Sequence, residues 1–179
     1  MSKKVFVVSS TPRKNGNSDI LAEEFARGAA EAGHLVRKVN LREIELRFCI
    51  GCLYCQSHDG CALRDGVNPL LSEVQASDVL VFATPIYYYE MCGQLKTFLD
   101  RMNPLYPREN RFRDVYLLAS AAEDEPSAMD GAVKGVQGWI DCFDGVRLAG
   151  VVRATGVNAA GEVRNTDAVK EAYQMGKSI

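Results

Sequence analysis

Several features are scarce in this 179-residue chain. No stretch approaches the ~18 consecutive apolar residues of a membrane-spanning helix. The run Val5 to Val8, behind Lys3 and Lys4, is too short for the apolar core of a signal peptide. Basic residues have no surplus: 21 Lys and Arg stand against 23 Asp and Glu, a formal net charge of −2. That balance argues against a nucleic-acid binder and against an anionic-membrane binder. The chain shows no internal repeat, no low-complexity tract and no linker rich in Gly, Pro or Ser. It also lacks G-x-x-x-x-G-K-[ST] and G-x-G-x-x-G, the loops of Walker-type NTPases and of dinucleotide-binding turns. Apolar residues make up 47% and charged residues 25%, which excludes a disordered chain and a fibre. A chain of this length buries a core without disulfide staples, and one domain over residues 1–179 is the simplest organisation.

Cysteine is present in excess. There are six, four of them crowded between Cys49 and Cys61. The expected location is the cytoplasm, where thiols stay reduced, so clustered cysteines point to metal or redox chemistry rather than to disulfides.

Hydrophobic periodicity alternates between strand and helix. Val5 to Val8 reads as a buried parallel strand. From Asn17 the pattern turns helical, with Leu21, Phe25, Ala29 and Ala32 on one face and Gly33 at the end. A second strand fits Leu35 to Leu41, followed by an irregular cysteine-bearing segment at about 47–65. Val67 to Ala76 is a short helix, and Val79 to Ala83 a strand stopped by Thr84-Pro85. A helix follows over Gly93 to Met102, a strand over Val115 to Ala121, and a helix over Pro126 to Phe143 with weak spots at Gly131, Gly135 and Gly138. A fifth strand covers Val146 to Ala154 and a last helix Thr166 to Gly176. This alternation predicts an α/β fold with a five-stranded parallel sheet and helices on both faces. Ligands of such sheets sit beyond the carboxyl ends of the strands, which selects three loops.

The first loop runs Ser9-Ser10-Thr11-Pro12-Arg13-Lys14-Asn15-Gly16-Asn17-Ser18. Backbone N–H groups at a helix N-terminus, hydroxyls of Ser10, Thr11 and Ser18, and the Arg13 guanidinium suit a single phosphate. An ordinary polar connection with an Asn15-Gly16 turn has the same appearance. The second loop, Thr84-Pro85-Ile86-Tyr87-Tyr88-Tyr89, carries three successive tyrosines. In a core their hydroxyls would each need a partner; at a ligand site they give flat apolar surface with polar edges. They equally suit an oligomer contact. The third loop, Ser120-Ala121-Ala122-Glu123-Asp124-Glu125, has small residues that admit a close backbone approach.

These segments resemble the NADPH-dependent FMN reductase family, which is flavodoxin-like. The first loop matches its phosphate loop, with Ser9 at a position where that family has glycine and Thr11 as an extra residue. Thr84-Pro85-Ile86-Tyr87 and Gln94-Leu95-Lys96-Thr97-Phe98-Leu99-Asp100-Arg101 match its flavin-ring loop and helix, and the likeness continues through Asn103-Pro104-Leu105-Tyr106 and Ala154-Thr155-Gly156-Val157. The resemblance implies a three-layer sandwich that binds FMN and takes electrons from NAD(P)H. Ser10, Arg13, Asn15, Asn17 and Ser18 would hold phosphate. Pro85, Ile86, Tyr87 and Tyr88 would hold the ring, with Ser120 and Ala121 at its far edge. No acid–base side chain is assigned, because the flavin carries the chemistry. The resemblance also implies a homodimer or homotetramer, with a small molecule or a redox protein as electron acceptor. A non-enzymatic flavin electron carrier or redox sensor is the rival reading.

Cys49, Cys52, Cys55 and Cys61 give the spacing C-x2-C-x2-C-x5-C. Four such thiolates satisfy a cubane cluster or a structural zinc. The spacing is similar to that of the iron–sulfur flavoprotein branch of the same family, which implies a [4Fe–4S] cluster; zinc, or metal-free thiols, are the alternatives. Cys92 and Cys142 read as background, His34 as a turn residue, His58 as a surface residue or cluster neighbour, and Trp139 as core.

Overall fold

The computed structural model describes residues 1–179. Six strands form: β1 (Lys4–Ser9), β2 (Leu35–Asn40), β3 (Val79–Tyr87), β4 (Glu90–Met91), β5 (Asp114–Ser120) and β6 (Arg147–Ala154). Five run parallel in the order β2–β1–β3–β5–β6, and β4 turns back antiparallel on the end of β3. The helices are α1 (Asn17–Glu31), α2 (Tyr54–Ser57), α3 (Asn68–Gln75), α4 (Gly93–Arg101), α5 (Asp130–Ile140) and α6 (Ala168–Lys177). This is the flavodoxin-like strand order, in which the chain reverses direction across the sheet between β1 and β3.

The strand period of two divides the core. Val5 and Val7 join Val79, Val81 and Ala83 against Ile20, Leu21 and Phe25 of α1 and Ala172 of α6. Phe6 and Val8 join Leu80 and Phe82 against Leu70 and Val74 of α3, Leu95 and Phe98 of α4, and Val136 and Ile140 of α5. Both faces of β1 and β3 are therefore buried, which is why these strands read as continuous apolar runs. Trp139 lies in that second layer, with its ring 5.6 Å from Phe82 and 4.7 Å from Phe143.

Two boundaries differ from expectation. Strand β3 does not stop at Thr84-Pro85 but continues to Tyr87. The β1 partner ends at Ala83, so Pro85 borders only β5, opposite Ser120, and its missing N–H removes no ladder bond on the open side. The long helix expected over Pro126 to Phe143 is a 3₁₀ turn at Pro126–Met129 followed by the shorter α5. Within α5, Gly131 and Gly135 are contact points rather than weak spots. A Cβ on Gly131 would lie 2.4 Å from the Tyr89 carbonyl oxygen, and one on Gly135 2.8 Å from the Met91 methyl. The β3–β4 hairpin thus lies directly on this helix.

Candidate functional site

The three loops selected by the strand pattern meet at the carboxyl edge of the sheet. One cleft is lined by Thr11, Arg13, Gly16 and Asn17 from the first, by Pro85, Ile86 and Tyr87 from the second, and by Ser120 and Ala122 from the third. A fourth segment, Val157 and Asn158 after β6, closes it. The fourth segment carried a positional signal, because it too follows a parallel strand, and the family likeness reached it through Ala154-Thr155-Gly156-Val157 without assigning it a role.

The first turn of α1 forms one end of this cleft. The N–H groups of Asp19 and Ile20 donate to the Gly16 carbonyl, which leaves those of Asn17 and Ser18 available to an anion. Gly16 precedes the helix, and a Cβ there would lie 2.6 Å from Thr11 Oγ1, so the close wrap of this loop requires glycine. Ser18 Oγ is fully buried with no hydrogen-bond partner, one residue behind Asn17. Buried hydroxyls are normally paired, so this one is a free donor beside the cleft, although Ser18 itself does not line it.

Other expected phosphate residues are placed differently. Ser10 is buried behind the cleft, its hydroxyl donating to the Ala83 carbonyl at 2.7 Å. Asn15 is exposed in a left-handed turn with φ 54° and does not line the cleft. The Asn17 amide is fully committed: Nδ2 donates to Val157 O (3.3 Å) and Ala159 O (3.0 Å), and Oδ1 accepts from the N–H groups of Gly161 (3.0 Å) and Val163 (3.2 Å). It is a clamp that holds the closing segment. Arg13 donates to the Asn158 carbonyl at 2.7 Å and so straps the same segment from the mouth. Asp19, buried in the first turn of α1, is ion-paired to Lys38 at 2.6 Å and to Arg42 at 3.2 Å. Burial pushes its carboxyl up, but Lys38, Ser9 and Arg42 outweigh burial and hold it below the usual range.

At the ring end, Tyr88 and Tyr89 form the two-residue turn between β3 and β4, both with positive φ (51° and 65°). That is the pattern of a type I′ hairpin, which normally uses Asn-Gly. Tyr88 is fully exposed and outside the cleft lining, whereas Tyr87 lines it. Ala121 is buried and holds the loops together: its N–H donates to Ala154 O and its carbonyl accepts from Val157 N–H, both at 2.9 Å. Its neighbour Ala122 lines the cleft instead.

A second centre lies at the other end of α4. Cys49, Cys52, Cys55 and Cys61 all line one small, largely apolar cavity with Ile50, Leu53, Leu63 and Pro104. Left-handed backbone at Gly51 (φ 64°) and Leu53 (φ 56°) curls the chain around it, and α2 supplies Cys55. Burial, and then the three neighbouring thiols, push the Cys55 thiol up. A buried ion pair anchors this loop to α4. The Arg101 guanidinium donates to the Asp65 carboxylate, with both side chains inaccessible, to Asn68 Oδ1 at 3.2 Å and to Arg47 O at 2.9 Å. His58 stacks on Tyr54, with ring centroids 4.0 Å apart, and does not line the cavity. Nowhere do three His, Cys, Asp or Glu side chains come close enough to share a single metal ion.

Fold and cleft together define a nucleotide-cofactor-binding α/β protein. The chain belongs to the NADPH-dependent FMN reductase family, whose model matches residues 3–159. The family comprises FMN-dependent oxidoreductases that use NAD(P)H. An iron–sulfur flavoprotein of Archaeoglobus fulgidus is 29% identical over 98% of this chain and 78% of its own length. The Bacillus subtilis protein YwqN, named as an NAD(P)H-dependent FMN-containing oxidoreductase, is 28% identical over 96% of both chains. The solved NAD(P)H:quinone oxidoreductase of Methanothermobacter marburgensis superposes with a TM-score of 0.77 over 99% of this chain and 96% of its own, at 20% identity, and so shares the fold. No helix is long and apolar enough to cross a membrane.

Proposed function

We propose that residues 1–179 form one FMN-binding unit in which the sheet-edge cleft holds the flavin nucleotide and the cysteine loop holds a [4Fe–4S] cluster. The observation that carries the reading is the separation of two built sites by one helix. The N-cap of α4, Cys92, is buried behind the cleft against Ser10 and Thr84, and the four-cysteine cavity lies at the helix's C-terminus. When bound, FMN supplies hydride acceptance from reduced nicotinamide and onward electron transfer to a small-molecule or protein acceptor; the cluster supplies single-electron transfer.

The chain's own groups position and insulate. The α1 N-terminus and Ser18 hydroxyl offer donors to the phosphate, with Arg13 at the mouth. Pro85, Ile86 and Tyr87 offer an apolar wall, and Ser120 a polar edge. Four cysteines lining one cavity supply the ligand number of a [4Fe–4S] cluster, and the relatives named as iron–sulfur flavoproteins favour that over zinc, which takes the same number. Clustered thiols suit a reducing, cytoplasmic setting. Exposed Tyr88 and Tyr89 beside the cleft, and exposed Phe48 and Ile50 on the cysteine loop, support assembly into a homodimer or homotetramer.

The test is anaerobic purification followed by an absorption spectrum, iron and zinc analysis, and NADPH and NADH oxidation with an added acceptor. Flavin bands, a broad shoulder bleached by dithionite and steady-state turnover are the expected results. Protein that cannot be loaded with FMN defeats the cleft reading. Stoichiometric zinc without iron defeats the cluster reading, and FMN-loaded protein without turnover favours an electron carrier.

A further inference from the structure

Arg101, the last residue of α4, and Asn103, two residues beyond it, reach the cysteine cavity with N–H groups that the rest of the protein does not use. The Asn103 amide, half-buried on the cavity wall, donates through Nδ2 to Cys55 Sγ at 3.5 Å. Arg101 is the more telling. A guanidinium has five N–H groups, and four here have protein acceptors, from Asp65, Asn68 and Arg47. The fifth, on Nε, is buried without a partner, although Arg101 is 1% exposed. Arg101 lines the same cavity as the four cysteines, and Cys61 is the thiol whose charge acts on its guanidinium. Asn68, which accepts from Arg101, also donates to the Cys61 carbonyl at 3.2 Å, so guanidinium and cysteine are held in one frame. A buried cationic donor left open in an otherwise complete network calls for an acceptor inside the cavity.

We infer that Arg101 and Asn103 are positioning residues that set the reduction potential of the cluster, by donating N–H hydrogen bonds to the sulfurs of Cys61 and Cys55. Hydrogen bonds to cluster sulfurs favour the more electron-rich reduced state and raise the potential. The step is a one-electron reduction of the cluster, with dithionite as the electron source in the assay. The assignment rests on the cluster reading given above.

The experiment uses the full chain, anaerobically reconstituted with iron and sulfide, and its Asn103→Leu and Arg101→Lys variants. Arg101→Lys keeps the charge facing Asp65 but has no Nε–H. Iron content is measured first, then a dithionite potentiometric titration followed by electron paramagnetic resonance, and resonance Raman of the oxidised form. The expected result is full iron content in both variants, a midpoint potential more negative than wild type, and Fe–S(Cys) stretching bands moved to higher frequency. If a variant does not hold iron, Asn103→Ser, which shortens the side chain and removes the amide, carries the same expectation. Loaded variants with unchanged midpoint and unchanged bands overturn the assignment alone. Wild-type protein that takes up no iron overturns the cluster reading, and the assignment with it.

Discussion

Replacing Gly131 by alanine sets two well-characterised effects against each other. In a helix, Gly→Ala stabilises by up to about 1 kcal/mol through lost backbone entropy in the unfolded chain. At this position, however, the new Cβ would lie 2.4 Å from the Tyr89 carbonyl oxygen. An ordinary carbon–oxygen contact is about 3.3 Å or longer, so the hairpin must retreat by roughly 1 Å. The hairpin has little to resist with: only the pairs Ile86↔Met91 and Tyr87↔Glu90 join its strands. Overpacking of this kind costs about 1–3 kcal/mol. Because Ile86 and Tyr87 line the cleft, part of that cost appears as lost flavin affinity. The expected outcome is a Kd for FMN raised about tenfold, equivalent to about 1.4 kcal/mol. Fluorescence quenching of FMN titrated with apoprotein reads it, with urea unfolding alongside. The control is Gly138→Ala on the same helix, where a Cβ meets nothing within 4 Å. It should gain stability and leave the Kd unchanged. If both variants gain stability and bind FMN like wild type, the hairpin does not depend on this contact and the reasoning fails.

Three further outcomes are expected. The paired change Tyr88→Asn and Tyr89→Gly places type I′ residues in the strained turn and should stabilise the protein by about 1 kcal/mol in a thermal melt; an unchanged midpoint means the turn is unstrained. Asp19 has a folded pKa below its unfolded value, so its contribution is present above the unfolded pKa and lost as pH falls through the folded one. Asp19→Asn should therefore cost about 1–3 kcal/mol at pH 7, with the gap to wild type narrowing below about pH 4 in urea titrations. Arg101→Ala leaves the buried Asp65 carboxylate unpaired and should cost about 3–5 kcal/mol, part of which Asp65→Leu restores; additivity of the two changes would refute a coupled pair.

The framework was legible wherever packing repeats locally. The apolar run of β1 and the three-and-four spacing of Leu21, Phe25 and Ala29 each report burial that the nearby sequence already encodes. Less was legible where one distant partner decides. Nothing near Asn17 indicates that its amide clamps residues 140 or more positions away, and nothing near Asp65 indicates Arg101, 36 positions on. The β3–β4 hairpin was hidden because Tyr88-Tyr89 lacks the Asn-Gly signature of its turn. The cysteine spacing marked Cys49, Cys52, Cys55 and Cys61 as a set, but the curl at Gly51 and Leu53 that brings them around one cavity is a backbone property without a local code.

The cleft also constrains the order of biosynthesis. Its walls come from residues 11–17, 85–87, 120–122 and 157–158, so the parts are spread from one end of the chain almost to the other. A ribosome-bound chain that has emerged as far as β5 already has three walls but lacks the segment that Asn17 and Arg13 fasten. Capture of a ligand there must wait until β6 has left the exit tunnel. A chain arrested before residue 157 would lack both the fourth wall of the cleft and the Val157, Val163, Ala168 and Ala172 side chains of one core layer, so a ligand of this cleft would act as a late seal.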